Sequence, residues 1–400
     1  MLDAALSDLV VLDFGQLIAG PVCGMWLADM GATVIKIEPP EGELGRRLGP
    51  PWHGGESMTA LTSNRNKFAL SIDLKRPEAR EVLARIIPKT DVVLENFRPG
   101  VMKRLKLDYE TLRRIKPDLV YCSISAYGQD GPWRDRPGVD GIIQAASGLM
   151  SGIGSDGAEP AKVPLPLADM TGALFATIAI LGALRRRDQT REGAHLDVTL
   201  YNSMLMLQQM NLAMYLLSGQ LPEKVGSAAP YAAPNEAMPT EDGWIMVAAY
   251  QDERWAKLCE LVEQPSLRHD PRFATNALRV ANRPALKEAL HSCFRRKSSS
   301  EWCRLLMAAD ILAAPVANYA DVVASKQYAE SGIQIELDPH AAGRFSMPGF
   351  ALGARGASTP KRPPPMTGEN SRDVLARFGI EDDEIDLLVT HGVVMEGNKR

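Results

Sequence analysis

Short apolar runs alternate with amphipathic stretches along the N-terminal half of the chain. Val10–Phe14 (VVLDF) reads as a strand and Gly15–Pro21 as a turn. The residues that follow, to Met30, read as a helix closed by Gly31 as a C-cap, and Thr33–Glu38 (TVIKIE) is the next strand. Strand, turn, helix and strand in so short a span make a βαβ unit, which implies a parallel sheet with a crevice at its strand ends. Further strands are expected at Phe68–Asp73, Asp91–Glu95, Leu119–Ser125 and Ala194–Leu200, with helices over Pro77–Ile87 and Asp108–Ile115. This alternation predicts the α/β class and an open, doubly wound, Rossmann-like domain.

One longer stretch organises the rest: VPLPLADMTGALFATIAILGALRRR, Val163 to Arg187. Pro164 and Pro166 hold its start extended. After Asp169 comes a run apolar on nearly every side, which predicts a buried helix, too short to span a bilayer, ending on Arg185, Arg186 and Arg187. Asp169 thus sits where an extended segment meets a helix N-terminus. Two roles are open to it: a helix N-cap, or a nucleophile aimed into a cleft and kept ionised by the helix dipole.

Beyond it, Tyr201–Ser218 reads as one long helix. Its Met204, Met206, Met210 and Met214 suit a core or a subunit interface. Gly226–Pro239, rich in Ala, Pro and Gly, reads as a linker, and a strand (WIMVAAY) with several helices to Asn318 suggests a smaller domain. Thr359–Thr367, with four prolines, reads as an extended arm before two amphipathic helices, Ser371–Phe378 and Glu381–His391.

Composition narrows the chemistry. A chain of 400 residues exceeds one usual core, so two domains, or one large domain with an insertion, are expected. A formal charge of −4 argues against nucleic acid or an anionic membrane as partner. Asp3 and Asp8 stand where a secretory signal would carry positive charge. Five cysteines without CxxC spacing suit reduced thiols in a cytoplasmic protein, and six scattered histidines give no metal motif, so no metal is expected.

Arg46, Arg47, Arg65, Lys67, Lys75, Arg76, Arg98, Lys103, Arg104, Arg134 and Arg136 fall on or beside the expected turns, on the face where α/β sheets bind ligands. Several are read as phosphate contacts. GIGSDG (Gly152–Gly157) fits GxGxxG, but three prolines follow by Pro166 and no helix can open there; it is rejected as a nicotinamide site.

Taken in order, VLDFGQLIAGP, GATVIKIE, Asn64–Lys67 with SIDLK, VLENFRPGVMKRL, SISAYGQDGPWRDRPGVDGIIQAASG, PLPLADMTGAL, GAHLDVTLYNSML, DGWIMVAAYQDERWAKLC and TGENSRDVL…LLVTHGVV resemble the class III coenzyme A transferase family over almost the whole chain. The resemblance implies a large Rossmann-like domain built from both termini (1–225 and 321–400), a smaller inserted α+β domain (226–320) and an interlocked homodimer. It makes Asp169 the nucleophile. It places coenzyme A contacts at Ile18 and Ala19, at Ile72, Asp73, Leu74 and Lys75, at Asn96, Phe97 and Arg98, at Arg104, and at Pro137, Gly138, Val139 and Asp140.

In that scheme Asp169 attacks a donor acyl-CoA, succinyl-CoA being the favoured donor, and passes CoA to a small carboxylic acid through mixed-anhydride and aspartyl-CoA thioester intermediates. CoA enters as substrate, with no tightly bound cofactor. Two departures stand out. Pro39 and Pro40 occupy the place where the family often has a basic residue, which leaves Arg46 or Arg47 as substitutes. Gln251–Arg254 shows no glycine run of the kind that closes over the acyl site in some members. Two alternatives remain: a 2-methylacyl-CoA racemase of the same fold, which would need a histidine where Val139 stands, and a non-catalytic CoA-binding protein.

Overall fold

The structure, a computed structural model, describes residues 2–337, 342–351 and 362–397. Its centre is a seven-stranded sheet. Six strands run parallel: β1 (Val10–Asp13), β2 (Thr33–Glu38), β3 (Phe68–Ile72), β4 (Val92–Glu95), β5 (Val120–Ser125) and β6 (Ala194–Thr199). Their order in space is β3-β2-β1-β4-β5-β6, and a short C-terminal strand, Val394–Met395, pairs antiparallel with β3 at the edge. The winding reverses direction between β1 and β4, so the turns after these two strands flank the crevice where doubly wound sheets take ligands.

Successive strand residues point to opposite faces and build two cores. Val11, Leu94, Cys122 and Ile124 pack with helices α1 (Ala19–Asp29), α2 (Asp140–Ala146), α3 (Leu167–Thr190) and α4 (Leu200–Leu207). Leu12, Val93 and Tyr121 face the helices Pro77–Ile86, Ser371–Arg377 and Asp382–Thr390. Gly31 ends α1 with φ +101°, as a C-cap requires.

Contacts divide the chain into two compact units: Met1–Leu149, Lys162–Ala213 and Gln327–Arg400 in one, Met150–Ala161 with Met214–Lys326 in the other. The second is a three-stranded antiparallel sheet, Leu312–Pro315, Trp244–Ala248 and Asn235–Pro239 in spatial order, covered by Asp252–Leu261, Arg283–Phe294 and Ser299–Ala308 around Trp255, Phe273, Phe294 and Trp302.

Several sequence expectations change. Asn235–Pro239, read as linker, is a strand, because the turn closed by Thr240 N–H to Gly243 O lays it against Trp244–Ala248. The long helix over Tyr201–Ser218 is two, Leu200–Leu207 and Gln209–Ser218. Met204 is buried, whereas Met206, Met210 and Met214 are exposed. Between Asp108 and Ile115 only Tyr109–Leu112 is helical, capped by Asp108. No helix opens after Gly152–Gly157 before Leu167. Helix α3 has 24 residues and is long and apolar enough to cross a membrane, against the expectation that it is too short. Nor is it buried all round: Leu174 and Ile178 are exposed along one side. Of the expected arm Thr359–Thr367, residues 359–361 lie outside the described residues.

Candidate active site

The crevice begins with the turn after β1. Asp13 ends that strand fully buried, and its Oδ1 accepts Gly15 N–H at 2.7 Å. Lys67 Nζ donates to Asp13 Oδ2, Pro21 O and Asn64 Oδ1 at 2.7, 2.7 and 2.8 Å, and Lys36 Nζ donates to Gly15 O. Asn96, in the turn after β4, spans the reversal point: its Oδ1 accepts Gln16 N–H at 2.7 Å and its amide donates to Gln16 O at 2.9 Å. Gly15 and Gly20 permit this close approach. A Cβ on Gly20 would stand 2.8 Å from Gly15 Cα and 3.2 Å from the Asn96 side chain.

This network absorbs part of the basic set. Lys67 is bound to Asp13, Arg65 pairs with Asp29 at 2.6 Å, and Arg46 pairs with Glu38 at 2.6 Å and donates to Pro365 O. These three hold the fold together and do not face solvent as phosphate contacts. Arg46 is therefore not the substitute for the basic residue absent after β2. Arg76 pairs with Glu78, Arg134 lies beside Asp135, and Arg136 stacks over Trp133. Arg47, Lys75, Arg98, Lys103 and Arg104 are exposed, with no ion pair among the described residues.

The other expected contacts are distributed unevenly. Ala19 and Ile72 are buried, and Ile72 packs its side chain into the core. Asp73 Oδ1 accepts Lys75 N–H, which fixes the turn after β3, and Leu74 packs against the same core. Ile18 and Phe97 are half-buried at the crevice turns, next to the exposed Arg98. Pro137 and Val139 are exposed, and Gly138 packs closely on Ala126. Asp140 turns inward: its Oδ1 accepts Ala168 N–H at 2.7 Å and its Oδ2 accepts the Gln144 amide at 2.9 Å.

Asp169 is not an N-cap. Pro166 holds that position, and Asp169 is the third residue of α3. Among the described residues its carboxylate has no hydrogen bond and no ion pair. Burial, then the charge of Asp140, pushes its pKa up to about 7, so the dipole does not keep it fully ionised at neutral pH.

Sequence reading missed Glu95. This buried carboxyl ends β4, accepts Phe97 N–H at 2.9 Å and lies beside Ser123, whose hydroxyl is 3.0 Å from His195 Nε2. Burial pushes its pKa up to about 7. The available signal was a lone acid closing the apolar run VVLE immediately before NFRPG.

The family model described as CoA-transferase family III matches residues 6–371. The chain belongs to this family. It is 32% identical over 392 residues to succinyl-CoA:glutarate CoA-transferase of Homo sapiens, covering 97% of this chain and 90% of that protein. It is 34% identical over 386 residues to succinate–glutarate CoA-transferase of Agrobacterium fabrum, covering 93% and 95%. Its fold superposes on a CaiB/BaiF family protein from Brucella suis with a TM-score of 0.83 at 33% identity, over 92% of this chain and 98% of that one. As a family III CoA-transferase the chain is an enzyme that handles CoA thioesters, with succinyl-CoA among the donors its relatives use.

Proposed function

We propose that this CoA-transferase carries CoA from succinyl-CoA to a small dicarboxylate, with Asp169 as nucleophile. The observation that carries the reading is the uncommitted carboxylate of Asp169, half-buried at the start of a packed helix. When ionised, one oxygen attacks the thioester carbonyl; the C–S bond breaks, leaving a mixed anhydride and CoA thiolate. The thiolate then attacks the Asp169 carbonyl, releasing succinate and forming an aspartyl-CoA thioester. The acceptor carboxylate and the same thiolate retrace these steps, and Asp169 is restored. Burial serves this chemistry because water hydrolyses an anhydride readily.

Arg98, Lys103 and Arg104, exposed on the turn and helix after β4, are the cations we assign to the phosphates of CoA. The dicarboxylate acceptor is supported by the glutarate transferases among the relatives. The exposed apolar residues Ile142, Leu174, Ile178, Met206 and Leu207, on α2, α3 and α4, suit a homodimer contact.

The test is incubation with succinyl-CoA and a panel of mono- and dicarboxylic acids, followed by peptide mass spectrometry after borohydride or hydroxylamine treatment. A CoA or acyl adduct on Asp169, absent in Asp169→Ala, with one new acyl-CoA formed, supports the reading. No adduct, together with deuterium uptake at the α-carbon of a 2-methylacyl-CoA, overturns it in favour of the racemase.

A further inference from the structure

The N-terminus of α3 takes up two of its free donors in an unusual way. A helix leaves its first N–H groups without internal partners, and an acid at the third position commonly reaches back to the N-cap N–H. Here the N-cap is Pro166, which has no N–H to offer. Leu167 N–H goes to Leu165 O at 2.8 Å. Ala168 N–H, the donor that would otherwise face a carboxylate at this end, goes to Asp140 Oδ1 at 2.7 Å.

Asp140 is itself fixed. Its second oxygen accepts the Gln144 amide, which also lies within 3.3 Å of Val163 O and Leu165 O, and Gln144 Oε1 accepts Val163 N–H at 2.9 Å. Gln144 is buried, and through it the extended segment before α3 is tied to α2.

We propose that Asp140 and Pro166 are positioning residues for the nucleophile: together they withhold the N-cap N–H and the Ala168 N–H from the Asp169 carboxylate and leave its lone pairs free to attack. The inference rests on Asp169 being the nucleophile. A carboxylate capping its own helix would be stabilised, less basic and turned back towards the backbone. With Ala168 N–H taken by a second acid, the charge at the helix end belongs to Asp140. Asp169 then meets burial and a like charge, and both raise its basicity. Strands β5 and β6 and helices α1, α2 and α4 pack on α3. Of the charged groups on these elements, Asp140 on α2 is the one whose field bears on Asp169.

The experiment compares kcat/KM and kcat for succinyl-CoA, across about pH 5 to 9, in wild type, Asp140→Asn, Pro166→Ala and Asp169→Ala. Asp140→Asn keeps an oxygen for Ala168 N–H and removes the charge, so the acidic limb is expected about one pH unit lower. Pro166→Ala restores an N–H for Asp169. Its acidic limb also moves down, and kcat falls about tenfold or more while KM for succinyl-CoA is unchanged.

Acidic limbs that stay at the wild-type pH in both variants overturn the proposal. So does a raised KM with unchanged kcat in Asp140→Asn, which would make Asp140 a CoA contact. Full activity in Asp169→Ala would instead sink the nucleophile reading itself. If Asp140→Asn fails to fold by circular dichroism, Asp140→Ser supplies an uncharged cap and the same expected shift.

Discussion

Lys67 Nζ lies 2.7 Å from Asp13 Oδ2, and both side chains are fully buried beneath the turn after β1. The pair fixes the Gly15–Ile18 turn from below, because Asp13 Oδ1 holds Gly15 N–H. Lys67→Met leaves Asp13 buried with only Lys36 nearby to offset its charge, and is expected to cost about 3–5 kcal/mol of stability. Asp13→Asn in the same chain should recover part of that loss. Urea unfolding of both variants measures it; equal midpoints in wild type and Lys67→Met would remove the pair's structural role.

The pH dependence of transfer should report Asp169. Burial and Asp140 push its carboxyl up to about pKa 7, and the proposed nucleophile attacks only when ionised, so kcat/KM is expected to rise about tenfold per pH unit below 7 and to level off above it. Asp169→Asn should lose on the order of a thousandfold or more in kcat. A flat profile down to pH 5 would assign the nucleophile elsewhere.

The basic residues should separate into two kinds. Arg98→Ala and Arg104→Ala remove exposed cations that have no ion pair among the described residues; as the proposed phosphate contacts, each is expected to raise KM for acyl-CoA about tenfold with little change in melting temperature. Arg65→Ala breaks the buried pair with Asp29, so it should lower the melting temperature and leave KM alone in the protein that still folds. Steady-state kinetics and thermal unfolding on the same preparations distinguish them.

Glu95 makes stability fall with rising pH. Its folded pKa, about 7, lies above the ordinary value of 4.5, so the folded state holds this proton longer than the unfolded one. Its contribution is fully present below about pH 4.5 and is lost as pH rises through 7. Glu95→Gln keeps an oxygen for Phe97 N–H and cannot ionise. It should therefore be more stable than wild type at pH 8 by roughly 3 kcal/mol and nearly equal at pH 4.5. Denaturant midpoints at the two pH values check this, and a loss at pH 8 would contradict it.

Strand and helix periods are local, and they were legible. Thr33–Glu38 and the core strand of WIMVAAY fall where their patterns placed them, because side-chain alternation and turn residues act over a few positions. Local pattern failed where a partner decided the outcome. Asn235–Pro239 carries no strand signal beyond its neighbour, and Asp108–Ile115 makes only one turn of helix before the chain turns into β5. The bulk apolarity of α3 predicted a buried helix, yet Leu174 and Ile178 remain exposed on this chain, since composition does not say which side a neighbour covers.

By itself, the sequence determined the alternating α/β pattern, the position of Asp169 at the start of a long apolar helix, and the ordered motifs that mark the family. Only the tertiary structure decided which charges are used up inside. Lys67 finds Asp13 at a separation of 54 residues, and Asp140 finds Ala168 at 28. A charge in the sequence looks the same whether it meets water or a buried partner. Burial makes an unpaired charge too costly to keep, and burial is a property of the folded chain alone.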